Sequence, residues 1–116
     1  MKDEFVTLET AEMLKDKSFP QTDFKINIST LHQCYLYLSI PTQSIAQRWL
    51  REIKGVYVWV EPVIGKRWKV SFCDFNVPTE DSDWMENEIN KGNGYPVYDT
   101  YEKALETGIL EALKLI

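Results

Sequence analysis

Two short runs of strict alternation constrain this chain more than any other feature. Val56, Val58 and Val60 alternate with Tyr57 and Trp59, and Trp68, Val70 and Phe72 alternate with Arg67, Lys69 and Ser71. A period of two marks a strand with one buried face. The intervening Pro62-Val63-Ile64-Gly65 reads as a turn, so an antiparallel hairpin over residues 56–73 is expected, with Val58 opposite Val70. One face then carries Val56, Val58, Val60, Trp68, Val70 and Phe72, and belongs to the core. The other carries Tyr57, Trp59, Glu61, Arg67, Lys69 and Ser71 and is polar and aromatic. A slip of one residue would turn the valines to water.

Helical periodicity supplies the partners for such a face. Thr7 reads as the cap of a helix over residues 8–17, with Leu8, Ala11 and Leu14 on one side, ended by Phe19-Pro20. Phe24, Ile26 and Ile28, then Cys34, Leu36, Leu38 and Ile40, alternate as a first pair of strands. Pro41 and Thr42 or Gln43 open a second helix over residues 42–54, whose apolar stripe is Ile45, Ala46, Trp49, Leu50 and Ile53, stopped by Gly55. Residues 76–97, rich in Asn, Asp, Glu, Gly and Pro, read as a long acidic loop with a short helical turn over residues 84–89. Asp99, with Glu102 three residues on, is expected to cap a last helix whose apolar face is Tyr101, Ala104, Leu105, Gly108, Ile109, Ala112, Leu113 and Ile116. Gly108 on that face implies close packing on a neighbour.

The sum is an α+β chain of order α-β-β-α-β-β-α, its antiparallel hairpins packed on amphipathic helices. At 116 residues, residues 1–116 make a single domain able to bury roughly two thirds of its open-chain surface. Hydrophobic residues at 44% and charged residues at 27% exclude a disordered or collagen-like chain. No segment approaches the apolar length of a membrane span, and the charged start is not a signal peptide, so a cytoplasmic protein without membrane contact is expected. Cys34 and Cys73 are then expected as reduced thiols.

Two blocks carry a resemblance: Pro41-Thr42-Gln43-Ser44 leading into Gln47-Arg48-Trp49-Leu50-Arg51-Glu52, and Tyr101-Glu102-Lys103-Ala104-Leu105-Glu106 leading into Glu111-Ala112-Leu113-Lys114-Leu115-Ile116. Over about three quarters of its length the chain resembles a family of short uncharacterised proteins encoded by gut bacteria, their prophages and other mobile elements. The resemblance implies a small α+β protein and brings no catalytic residues with it. The acidic stretch 76–97 is longer than the family pattern.

Charge is segregated within a net balance of -5. Residues 42–72 hold six cations against two acids, whereas residues 73–116 hold three lysines against ten acids. A basic helix followed by an aromatic hairpin has the composition of a nucleic-acid surface built from Arg48, Arg51, Lys54, Trp59, Arg67 and Lys69. The overall acidity opposes that reading, and the alternative is a cross-strand cluster with Trp59 over Lys69 and Arg67.

Other chemistry is poorly supported. His32, Cys34, Cys73 and Asp74 lack the paired spacing of a zinc site, and Asp81, Asp83, Glu86 and Glu88 lack the glycine of a calcium loop. Gly92 and Gly94 belong to turns and form no phosphate-binding fingerprint. His32 is the one ordinary neutral-pH base and flanks no nucleophile signature, so neither an enzyme nor a cofactor is expected.

Four tryptophans and six tyrosines exceed the needs of so small a core, and these residues anchor protein interfaces. Tyr35, Tyr37, Tyr57 and Trp59 fall on the strand faces away from the core. The sequence therefore points to a non-enzymatic accessory module that binds a protein partner or itself, with a nucleic-acid-binding regulator as the alternative.

Overall fold

The computed structural model describes the backbone of residues 3–21, 25–31, 34–91 and 94–116, and the side chains among these outside residues 25–38. The chain is α+β. It runs α1 (Leu8–Asp16), β1 (Lys25–Leu31), β2 (Cys34–Ile40), α2 (Gln43–Trp49) continued by a π-helical turn (Leu50–Lys54), β3 (Val56–Val63), β4 (Arg67–Asp74), a 3-10 turn (Thr79–Asp81), α3 (Trp84–Asn90) and α4 (Tyr101–Leu115). The strands form two separate antiparallel ribbons, β1-β2 and β3-β4. In the first, Tyr35 lies opposite Thr30 and Tyr37 opposite Ile28. The side-chain facing expected of Phe24, Ile26, Ile28 and the β2 residues through Leu38 lies outside the described residues.

In the β3-β4 ribbon the expected faces are found, but the register is displaced by two residues: Val58 pairs with Phe72, and Val60 with Val70. The turn explains the displacement. Gly65 and Lys66 both take positive φ, 90° and 60°, so the loop is Ile64-Gly65-Lys66 and the strands extend through Val63 and Arg67. Because the displacement is even, every side chain keeps its face. Pro62 sits within β3, where a two-stranded ribbon has only edge strands and the missing N–H is tolerated.

Helix α4 lies across the inner face of this ribbon and packs against both strands, with α1 and α2 beside it. Its Ala104, Leu105, Gly108, Ile109, Ala112 and Leu113 are buried together with Val56, Val58, Val70 and Phe72. Gly108 is where the helix comes nearest. A methyl placed there would stand 2.9 Å from Val58 Cγ1 and overlap Val70 Cγ2.

The cap expected at Thr7 is found: Thr7 accepts from the Thr10 N–H at 3.3 Å. Of Thr42 and Gln43 at the start of the second helix, Thr42 is the cap and accepts from the Ile45 N–H at 3.4 Å. The cap expected at Asp99 is not: α4 begins at Tyr101, so the cap position falls on Thr100, which accepts from the Lys103 N–H at 3.1 Å, and Asp99 lies one residue outside. The stripe of the second helix also departs from expectation at its end. The π turn carries more residues per turn than an α-helix, which swings Ile53 off the buried side and leaves it 65% exposed.

The described residues between 76 and 97 are better anchored than their composition suggests. Met85 of α3 is fully buried, and Glu86 Oε1 accepts from the Phe72 N–H at 2.8 Å, which ties α3 to the edge of β4.

Candidate functional site

The outer face of the β3-β4 ribbon gathers the aromatic residues in question. Tyr57 and Trp59 are two apart on one strand, so they share that face. Their rings stack with centroids 5.1 Å apart and planes inclined by 21°. The π turn brings Arg51 over Tyr57, its guanidinium carbon 5.6 Å from the ring centroid. Trp59 Nε1 donates to Glu61 Oε1 at 2.9 Å, and Glu61 Oε2 lies 3.4 Å from Nζ of its cross-strand partner Lys69. The indole N–H holds the Glu61 carboxyl below its ordinary range, desolvation opposes it, and Lys69 adds to the lowering. Lys69 also caps the ring of Tyr95, 4.6 Å from its centroid. Tyr95 is held there because Tyr98 pairs with Trp68 through two backbone hydrogen bonds of 3.0 and 2.8 Å.

The expected arrangement of Trp59 beneath Lys69 and Arg67 is therefore replaced by another. Trp59 stacks on its own strand neighbour, because a side chain two residues along the same face is within reach of a large ring. Lys69 turns instead to Glu61 directly opposite. Ser71, expected on the open face, is buried.

Four of the five cations of the nucleic-acid reading have separate partners. Arg48 Nε bonds Glu52 Oε1 at 3.1 Å on an exposed helix face, and Lys54 Nζ sits 5.5 Å from the Trp49 ring centroid. Arg51 and Lys69 are engaged as described, and Arg67 is exposed next to the turn. Such contacts do not cancel positive charge, but each holds its side chain to a different neighbour. The side chains of Tyr35, Tyr37 and Cys34, and the whole of His32, lie outside the described residues. Cys73 is a free, half-buried thiol opposite Tyr57.

Asp74 does something the sequence did not disclose. Buried at the end of β4, its Oδ1 accepts from the Asn76 backbone N–H and from Asn76 Nδ2, both at 2.9 Å. Its Oδ2 accepts from Trp84 Nε1 at 2.7 Å. Burial pushes the carboxyl upward, but the donors of Trp84 and Asn76 outweigh it and hold the group below the ordinary aspartate value. With both oxygens so occupied, Asp74 is a structural acceptor. Among the described residues no group of three or more His, Cys, Asp or Glu is placed to hold a metal ion, and no helix is long and apolar enough to cross a membrane.

A second carboxylate, Glu106 of α4, accepts from the Thr7 N–H at 3.1 Å, from Thr7 Oγ1 at 3.0 Å and from Thr10 Oγ1. Gln43 Nε2 reaches its other oxygen at 3.3 Å and the Glu102 carbonyl at 2.9 Å. These contacts line a cleft of about 330 Å³ where α1, α2 and α4 meet. Neither carboxylate carried a local sequence signal, because their donors lie far along the chain or within a segment that read as loop. In comparison with known proteins, no family model, curated sequence or solved structure matches this chain.

Proposed function

We propose that this chain is a non-enzymatic protein-interaction module, an accessory protein of a bacterial or mobile-element genome, and that it engages its partner through the outer face of the β3-β4 ribbon. The observation that carries the reading is the stacked Tyr57–Trp59 pair. Two large rings, fixed by each other, by Arg51 and by the Trp59–Glu61 bond, lose little rotamer freedom when a partner covers them. Rigid aromatic anchors of this kind supply much of the energy of protein interfaces. The separate partners of Arg48, Arg51, Lys54 and Lys69 weigh against a continuous phosphate-binding track, which makes the nucleic-acid regulator the weaker alternative.

Affinity capture from the native host, with the wild type and with Tyr57→Ser plus Trp59→Ser, with and without nuclease, tests both. A protein retained after nuclease treatment and lost with the double variant supports the proposal. Retention that vanishes with nuclease supports the nucleic-acid alternative, and equal capture by both variants overturns the assignment of this face.

A further inference from the structure

The outer face of the β3-β4 ribbon carries charge that its aromatic pair leaves unused. Arg51 lies over the Tyr57 ring and is exposed. A guanidinium stacked on a ring spends its flat face and keeps the N–H donors of its edge, whose fork matches a carboxylate. Among the described residues no carboxylate pairs with Arg51.

A second free guanidinium belongs to the other end of the same face. The register pairs Glu61 with Lys69 and Val63 with Arg67, and residues two apart on a strand share a face, so Arg67 stands at the turn end of the face that bears Tyr57 and Trp59. It is exposed and, among the described residues, joined by no carboxylate either. The one acid that the register places between, Glu61, is already held by Trp59 Nε1 and Lys69 Nζ. From Tyr57 to Val63 the extended strand spans roughly 20 Å. Along the ribbon the order is thus a free cation, two stacked rings, a closed ion pair and a second free cation.

That order selects the occupant. A nucleic-acid strand carries a negative charge about every 3.4 Å of its axis, so one laid along the ribbon brings phosphates to Glu61 as well as to the arginines. A peptide can place carboxylates at the ends and an apolar side chain in the middle. We propose that the partner presents an acidic peptide segment, with an apolar side chain covering the Tyr57–Trp59 pair and flanking carboxylates held by Arg51 and Arg67. The proposal rests on the assignment of this face as the interaction surface. The net charge of -5 does not oppose it, since at physiological salt exposed charges beyond about 8 Å are largely screened and the local balance governs.

Selection of the folded chain against a phage-displayed library of random dodecapeptides reads the preference directly. Peptides retained by the wild type are expected to be enriched in Asp and Glu on both sides of an aromatic or aliphatic residue. A synthetic peptide of the selected sequence should lose about tenfold in affinity with Arg51→Gln, by fluorescence anisotropy, which is the lower end of what a charged hydrogen bond contributes. The decisive arm is reversal: Arg51→Glu with Arg67→Glu should reject that peptide and bind its counterpart with Lys in place of each acid, which a merely structural role for the arginines would not produce. Both positions are exposed, and circular dichroism confirms folding. Retained peptides that are lost with Tyr57→Ser plus Trp59→Ser but show no acidic preference overturn this inference and leave the assignment of the face standing. Peptides indifferent to that double variant, or no retained peptide at all, overturn both. Displacement of the peptide by a twelve-nucleotide oligothymidine at lower concentration than by free peptide overturns the proposal in favour of nucleic acid.

Discussion

Replacing Gly108 by alanine sets two effects of opposite sign against each other. In an ordinary helix interior the change stabilises by about 1 kcal/mol, because alanine has the better helix propensity. Here the new methyl would overlap Val70 Cγ2 and stand 2.9 Å from Val58 Cγ1. Both valines are branched at Cβ and held on a strand, so neither side chain gives way freely. Relief requires α4 to lift off the ribbon, and a gap of even 1 Å along a packed face forfeits about a quarter to a half of each contact's attraction. Overpacking of this kind costs about 1–3 kcal/mol. Set against the propensity gain of about 1 kcal/mol, this leaves a net loss of up to about 2 kcal/mol, or a melting temperature lower by up to roughly 10 °C for a domain of this size. Urea denaturation followed by tryptophan fluorescence measures it. Val70→Ala alone should cost about 2 kcal/mol, but combined with Gly108→Ala it should cost less than the sum by at least about 1 kcal/mol, because the new methyl occupies the vacated space. A stabilised Gly108→Ala, or strict additivity, would refute the close approach.

Asp74→Asn puts an amide where one oxygen faces only donors, so a loss of about 1–3 kcal/mol is expected in the same urea assay. Because the folded-state pKa of Asp74 lies below its ordinary value, its contribution is fully present above the unfolded value of about 3.9 and disappears as pH falls through the lower folded value. Denaturation midpoints taken from pH 7 down to about pH 2.5 should therefore drop in that acid window for the wild type, and less steeply for Asp74→Asn. Glu106→Ala removes the acceptor of the buried Thr10 hydroxyl and leaves Gln43 only the Glu102 carbonyl, and should cost about 1–3 kcal/mol, with Glu106→Gln intermediate, by thermal denaturation.

What the sequence disclosed and what it hid divide along the range of the interactions. Period-two alternation placed Val56, Val58, Val70 and Phe72 on the core side, and period 3.6 placed Ala104 to Leu113 against them, because both patterns are local. The register of β3 on β4 rests on which residues adopt positive φ, and a non-glycine such as Lys66 in that conformation is not announced by its type. Ile53 escaped because a π turn breaks the very period used to find it. Thr100 displaced Asp99 as a cap because helix starts resolve only to within a residue or two. At the candidate site, parity alone put Tyr57 and Glu61 on the same face beside Trp59, but the choice of Glu61 by Lys69 depends on the cross-strand partner and hence on the register. Asp74 and Glu106 were least legible, since Trp84 sits in a segment whose composition resembles solvated loop and Thr7 lies 99 residues from Glu106.

The placement of α4 bears on how the chain leaves the ribosome. The ribbon it covers is complete at Asp74, yet the helix that shields Val56, Val58, Val70 and Phe72 begins at Tyr101. For the time taken to synthesise the residues between, a nascent chain carries a two-stranded apolar sheet that α2 and its π turn cover only in part, and a two-stranded ribbon is not stable alone. The acids that follow β4 carry the lengthening chain from a net charge of +1 at Asp74 to -4 at Thr100, which disfavours association of one nascent ribbon with another. Folding of this domain is thus expected to be completed in a single cooperative step only once α4 has emerged, and the acidic stretch guards solubility until then.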